Sequence, residues 1–503
     1  MKICFLLQRR FAYVGHKIAL IMKERYNINE FCGYVYTRSS FEFLKNQKDI
    51  NYTSLLLDEE IHKEYKKEEL DMDFLDKFEK EYGMPNIWPY ITLDRVVMHN
   101  QLVREYPYNT PPYTHEEMMK IFQVKAKAIL NFIETEKPDA FVVNVIGGTG
   151  SMLLYQIAKN KNIKILYITT ARIDSKYTIS NDYKKFSYAE DTFNQLMSGS
   201  YESSKKNEAK QYINNIRKNL TNYLYFSPDE ANKNYRLKPL KWFAPKYLWR
   251  SLAWFMKLCY SYFKGGQDGY CDEKPLGYFI DRIKRKIRTL RGFKHLYDKV
   301  NFSENFAFFP LHREPEIALL LFAPFWSDQI NLIKQVAKSL PIYYKLYVKE
   351  HPTMMGYRTH AYYKELKKIP NVKLIPHDTN SSKIIQHTKL SIVLSSTAGW
   401  ETAILKKPVI TFGDVFYNKL SFVKKCDVIE KLPFIVKEQL ENFQYSEDEL
   451  INFVSAVMEE SASDVGLNEI WEKGVPDKQQ EKQRLTKLTD LLAKKLNLKK
   501  IEI

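Results

Sequence analysis

Lys349-Glu350-His351-Pro352 follows an apolar run, Tyr343–Lys349, that reads as a β-strand. In a doubly wound sheet, ligands collect at the carboxyl ends of the strands. A histidine placed there can donate to a phosphate and neutralise charge as a nucleotide departs, and the proline after it sets the turn. A second segment, Leu394-Ser395-Ser396-Thr397-Ala398-Gly399-Trp400-Glu401, is a strand that ends in small hydroxyl residues and runs at once into a helix. Backbone N–H groups at a helix start attract anions. With the hydroxyls of Ser395, Ser396 and Thr397 they form an anion cradle, and Gly399 lets the backbone approach phosphates closely. Glu401, in the first helical turn, reads either as an acceptor for ribose hydroxyls or as a counter to the helix dipole. A third segment, Lys407-Pro408-Val409-Ile410-Thr411-Phe412-Gly413-Asp414 and then Tyr417, is a buried strand ending in a glycine turn. Upstream, Pro310–Glu316 brings His312, Glu314 and Glu316 toward the same edge, or acts as an interdomain linker.

Residues at strand ends need sheets behind them. Ile3–Leu7, Ala140–Val145 and Ile163–Thr169 read as buried strands, with helices over Gly15–Arg25, His115–Thr135 and Ser151–Asn160. The alternation restarts near Ala307: strands over Ile317–Phe322, Tyr343–Lys349, Val372–Ile375, Leu390–Leu394 and Val409–Phe412 are separated by helical stretches. Continuous apolar strands alternating with helices imply parallel sheets covered on both faces. At 503 residues the chain is long enough for two such units. We place a first α/β domain at 1–182, a basic, aromatic-rich helical insert at 183–301, a second α/β domain at 302–428 and charged helices at 429–503.

An HP loop, βα units, then S-S/T-G-x-E and K-P-V-I-x-F-G, over Phe306 to Tyr417, resembles the capsule polysaccharide synthesis and export family. That family includes transferases using CMP-activated 3-deoxy-ulosonic acids, and the HP pair is also similar to that of bacterial sialyltransferases. The resemblance implies a GT-B fold, two Rossmann-like domains facing a cleft, with the donor nucleotide held by the second. It also implies that His351 and Pro352 contact the donor phosphate, that Ser396 and Thr397 bind phosphate, and that Glu401 binds ribose. The expected activity is glycosyl transfer from a nucleotide sugar to a surface glycan or lipid-linked acceptor. Two rival readings are a nucleotide-sugar 2-epimerase of the same fold and a non-catalytic protein that binds membrane or nucleic acid.

Glycosyl transfer must stabilise the leaving phosphate and deprotonate an acceptor hydroxyl. Asp174, after the strand Ile163–Thr169 and beside Arg172, is one candidate base, with Glu314 and Glu316 as competitors. Gly147-Gly148-Thr149-Gly150 opens a helix after a strand without the full G-x-G-x-x-G or a Walker lysine. It reads as an acceptor or phosphate loop, or as a tight turn. Asp71-Met72-Asp73 has the letters of a metal-binding D-x-D but lies in an acidic, helix-like run, Glu59–Lys80. Neither a metal nor a cofactor is expected.

The net charge of +17 calls for an anionic partner. Arg236–Lys264 carries seven Lys/Arg and no acid, interleaved with Trp242, Phe243, Trp249, Trp254 and other aromatics. Such a run suits a helix in an anionic membrane interface; a linker helix packed on the domains is the alternative, and nucleic acid is not expected. Aromatic residues make up 14% of the chain, and its 35 Tyr suit sugar or interface surfaces unless they reflect a compositional bias. Five scattered Cys without CxxC pairing indicate a reducing compartment. Arg9 and Arg10 cut short the apolar start, so no signal peptide is expected and the location expected is cytoplasmic, peripheral on the inner membrane.

Overall fold

A computed structural model describes residues 1–100, 111–218, 244–264, 274–467, 470 and 477–501. Two sheets form the molecule. The first contains β1 (Lys2–Leu7), β2 (Glu30–Val35), β3 (Tyr52–Leu57), β4 (Ala140–Val143), β5 (Lys164–Thr170) and β6 (Tyr177–Ser180). The second contains β7 (Phe306–Pro310), β8 (Lys345–Lys349), β9 (Val372–Ile375), β10 (Leu390–Val393), β11 (Val409–Thr411) and β12 (Val423–Lys425). A two-residue strand, β13 (Ser461–Ala462), returns to the first sheet beside β6.

The strand order is β13-β6-β5-β4-β1-β2-β3 in the first sheet and β12-β11-β10-β7-β8-β9 in the second. Both are parallel apart from the antiparallel β5–β6 and β6–β13 pairs. Each order reverses next to its first strand, which is the doubly wound plan, and it opens a crevice at the carboxyl ends of β1/β4 and of β7/β10. Two such sheets in one chain make the GT-B-like two-domain fold.

Alternation along the strands covers both faces. Cys4 and Leu6 enter one core while Ile3, Phe5 and Leu7 enter the other. In the second sheet Phe306 and Phe308 divide from Ala307 and Phe309 in the same way. The C-terminal helix Lys478–Lys495 buries Leu485, Leu488 and Leu492 against the first sheet, so the chain crosses back to where it began.

Two findings differ from the sequence reading. Ile317–Leu320 is a short helical turn rather than a strand. An apolar run of that length does not reveal its period; its apolarity serves the contact between halves, where Ile317, Leu320 and Phe322 pack on the first domain's core. The strand that starts the second sheet is β7, just upstream. Within the segment read as an insert, helices Ser187–Met197 and Lys206–Lys218 bury Phe193, Tyr212 and Ile213 in the second sheet's core, together with helix Glu447–Glu459. Of the basic run, Arg236, Lys238, Lys241, Trp242 and Phe243 lie outside the described residues, as does Cys271.

Candidate active site

Thr397–Ile404 is a helix with Ser396 as its N-cap, the Ser396 hydroxyl accepting from the Ala398 N–H at 3.1 Å. The Gly399 N–H donates to the Ser396 carbonyl at 3.2 Å, so the N–H groups left open at this helix start, among the described residues, are those of Ser396 and Thr397. They open on a cleft between the halves. Thr169, Thr170, Arg172, Tyr183, Lys184 and Lys185 line it from the first half, and Ser395–Thr397 and Asp414–Tyr417 from the second. Lys184 meets Asp414 across it at 3.6 Å.

The donor residues read from the sequence divide in the structure. Ser396 and Thr397 line the cleft. The Ser395 hydroxyl is already committed, donating to the Ala318 carbonyl at 2.8 Å and so pinning this loop to the interdomain turn. Gly399 is buried and makes room for a side chain rather than for a ligand: a Cβ there would fall 2.3 Å from the Tyr417 hydroxyl, which donates to the Ser396 carbonyl at 2.6 Å. Glu401 follows Thr397 by four residues and therefore shares its helix face. The residue is partly exposed, but its Oε2 is shut off from solvent and has no hydrogen-bond partner. Burial pushes its carboxyl up to about 8.

The HP loop follows β8, which β7 separates from β10. His351 caps the turn Pro352–Met354, its Nδ1 accepting from the Thr353 N–H at 3.3 Å. The ring proton of the neutral form is therefore on Nε2, and that N–H is a donor. Burial, with Arg313, His312, Lys349 and Arg358 around it, pushes His351 down to about 3. Lys349, buried at the end of β8, is pushed down to about 8 by burial.

A buried network joins this loop to the serine loop. Ser395 N–H donates to His312 Nε2 at 3.4 Å, and the His312 carbonyl accepts from Arg358 Nη2 at 2.5 Å. Arg358 Nη1 donates to Glu350, which also accepts from the His351 N–H at 2.5 Å and from the Tyr363 hydroxyl at 2.7 Å. Arg358, Glu350 and His312 are all buried. Burial, then Arg358, pushes His312 down to about 4.

Arg313 lies beside this network and is half-buried. Among the described residues it makes no ion pair, and its Nε is buried without a hydrogen-bond partner. A guanidinium without an ion pair beside a neutral imidazole can take an anion as its partner. Arg313 and Glu350 stand within the sequence motifs with nothing local to mark a role for them, and Arg358 belongs to no motif.

On the first side, Arg172 lines the cleft from a left-handed turn after β5 (φ 58°). Asp174 lies on the same turn and is solvent-exposed, and partial desolvation raises its carboxyl only against the opposing pull of Lys176. Glu314 is held by Gln329 and lies 3.4 Å from Arg358, which ties it into the network rather than leaving it open as a base. The glycine loop is a tight turn, not a phosphate cradle. Gly147 and Gly148 N–H both donate to Ser151 Oγ, at 3.0 and 3.1 Å, and Thr149 N–H to Asp94 at 2.9 Å. A Cβ at Gly147 would come within 2.9 Å of Ile317, and one at Gly150 within 1.8 Å of the Tyr34 hydroxyl. Asp71 caps helix Met72–Tyr82, accepting from the Phe74 N–H at 2.9 Å.

These ionisations predict the pH dependence of stability. His312 and His351 stay neutral in the fold, whereas in the unfolded chain they take up protons below about 6.5, so their contribution is complete above that pH and lost as the pH falls. Glu401 is protonated in the fold up to about 8; unfolded, it ionises above about 4.3, so its contribution is lost as the pH rises through that interval. The three together place maximal stability near pH 6.5. Melting curves should show a fall from pH 6.5 to 8 that Glu401→Gln abolishes; an unchanged alkaline limb in that variant sinks the assignment.

Residues 274–423 match the family described as capsule polysaccharide biosynthesis protein. No curated protein matches the chain. Among solved structures, KpsC of Thermosulfurimonas dismutans, a beta Kdo 2,7 transferase, is 13% identical over 73% of this chain and 89% of its own, with a TM-score of 0.36. The UDP-GlcNAc 2-epimerase of Neisseria meningitidis is 11% identical over 92% and 99%, with a TM-score of 0.28. At those scores neither likeness carries an argument about activity, and the fold rests on the strand orders above.

Proposed function

We propose that this chain, whose residues 274–423 match the capsule polysaccharide biosynthesis protein family, transfers a sugar from a nucleotide-activated donor to a growing surface glycan or its lipid-linked precursor. The observation that carries this reading is the unpaired, half-buried Arg313 beside neutral His351. The donor phosphate sits against Arg313 and the His351 Nε2–H, and the first N–H groups of the helix at Ser396 and Thr397 complete its shell. Glu401 Oε2 accepts from a ribose hydroxyl and so gains the donor it lacks. As the anomeric carbon–oxygen bond breaks, charge grows on the departing phosphate, and these fixed donors stabilise it more than they stabilise the ground state. The acceptor enters from the Arg172 side, its oxygen bonds to the anomeric carbon, and its proton passes to Asp174. The raised carboxyl of Asp174 makes it a better base than an ordinary aspartate.

Melting-temperature measurements with CMP, UDP, GDP and CDP test the donor side. A ligand at about 100 times its Kd adds about 2.7 kcal/mol to the native state, so one of the four should give a rise of several degrees. Asp174→Asn should keep that rise and lose transfer by roughly 10²–10⁴-fold. Absence of any rise removes the donor assignment, and conversion of the nucleotide sugar to its epimer without acceptor removes the transferase reading.

A further inference from the structure

The helices Pro245–Phe263 and Pro275–Arg291 show their apolar faces to solvent. The second lays its polar side on the second domain: Arg285, paired within the helix with Asp281 at 3.3 Å, stacks 4.5 Å over Tyr357, and Arg288 Nε donates to the Gly356 carbonyl at 2.8 Å. Leu276, Phe279, Ile280, Ile283, Ile287 and Leu290 recur at three- and four-residue steps and therefore form one stripe. They are 40–61% exposed. By the same spacing, Lys284 and Arg291 line one edge of the stripe, and Arg282 and Lys286 the other.

The first helix packs beside it. Phe255 meets Phe279 with ring centroids 5.0 Å apart, and Arg282 lies 4.4 Å over Trp254. It buries no residue. Leu248, Trp249, Leu252, Met256, Tyr260 and Phe263 are 49–84% exposed. Lys246, Arg250, Lys257 and Lys264 flank them, with no acid in the helix.

An apolar surface this extensive marks an interaction site. We propose that the two helices seat in the plane of an anionic bilayer, with the apolar stripes at the acyl boundary and the basic edges on lipid phosphates. Charge favours this occupant. A second copy would bring like-charged edges together at a cost, and nucleic acid would leave the stripes uncovered. Among the described residues no helix is long and apolar enough to cross a membrane, and a helix with one apolar and one basic face lies in the interface. The cleft is then held beside a membrane, where a lipid-linked substrate is within reach. The docking does not rest on the transferase reading and stands or falls separately from it.

Flotation of the full chain with vesicles of phosphatidylcholine alone and with added phosphatidylglycerol tests the proposal. The chain should float with the anionic vesicles and remain behind with the neutral ones. Each cation near an anionic surface contributes about a fivefold change in partition, so Lys284→Gln with Arg291→Gln should weaken binding by about thirtyfold. Ile283→Ser with Ile287→Ser should abolish it while leaving the melting temperature and nucleotide binding unchanged, because both side chains are exposed. Equal flotation of the wild-type and variant chains, or none at all, overturns the proposal. So does a lipid-free dimer by sedimentation velocity that Ile283→Ser with Ile287→Ser dissociates, since the stripe is then a copy-to-copy interface.

Discussion

Arg313→Met is expected to lower kcat/KM for transfer by about 10²–10³-fold, the cost of removing one preorganised donor from a developing anion, while leaving the melting temperature close to that of the wild type. The two halves of this expectation share one cause. Among the described residues Arg313 has no ion pair to lose, and its Nε is buried and unbonded. Methionine fills a similar volume, so the native state gives up little on its own account. The partner it lacks is the one that arrives with the donor, and the loss therefore appears in turnover and in nucleotide affinity. His351→Ala should act in the same direction through the Nε2–H. In the proposed site both donors face one phosphate, so the double variant should lose less than the product of the single effects. Steady-state kinetics with a nucleotide-sugar donor measure this, and full activity in Arg313→Met removes the phosphate assignment.

Arg358→Met should behave in the opposite way, losing about 3–5 kcal/mol of stability as the cost of leaving one member of a buried ion pair behind. Arg358 and Glu350 are both buried, and Glu350 would keep only the His351 N–H and the Tyr363 hydroxyl as donors. The same substitution removes the bond to the His312 carbonyl, so the loop after β7 loses its tie to the HP loop. Exchanging Glu350 for Gln alongside Arg358→Met should recover part of the loss, because a neutral amide left behind costs less than a charge. Urea denaturation reads both; a single variant within about 1 kcal/mol of wild type, where most substitutions lie, contradicts a structural role for the pair.

How legible each feature was depended on how local its cause is. The parallel strands were readable because a strand covered on both faces must be a continuous apolar run, and β8, β9 and β10 lie where such runs are. Ile317–Leu320 misled because it is as apolar as a strand for a different reason, its contact with the other domain. The helices Ser187–Met197 and Lys206–Lys218 were read as part of an insert because nothing in their own residues says which core they enter. The antiparallel pair β6 and β13 is too short to give a period.

The candidate site divides along the same line. His351 and Ser396–Thr397 are legible as strand-end residues, since an apolar run followed by a turn and a helix start places them there. Which of these groups are open to a ligand depends on the packing of the whole fold. Ser395 is held by Ala318, Gly399 gives its space to Tyr417, and the N–H groups of Gly147, Gly148 and Thr149 are taken by Ser151 and Asp94. Arg358 joins His312 to Glu350, and Arg313 Nε is left without a hydrogen-bond partner among the described residues. Whether a polar group is free is a property of everything that folds against it, and those partners arrive from distant parts of the chain. A strand end can therefore be read locally, whereas an unsatisfied guanidinium or carboxyl becomes visible only once every other claim on it has been placed.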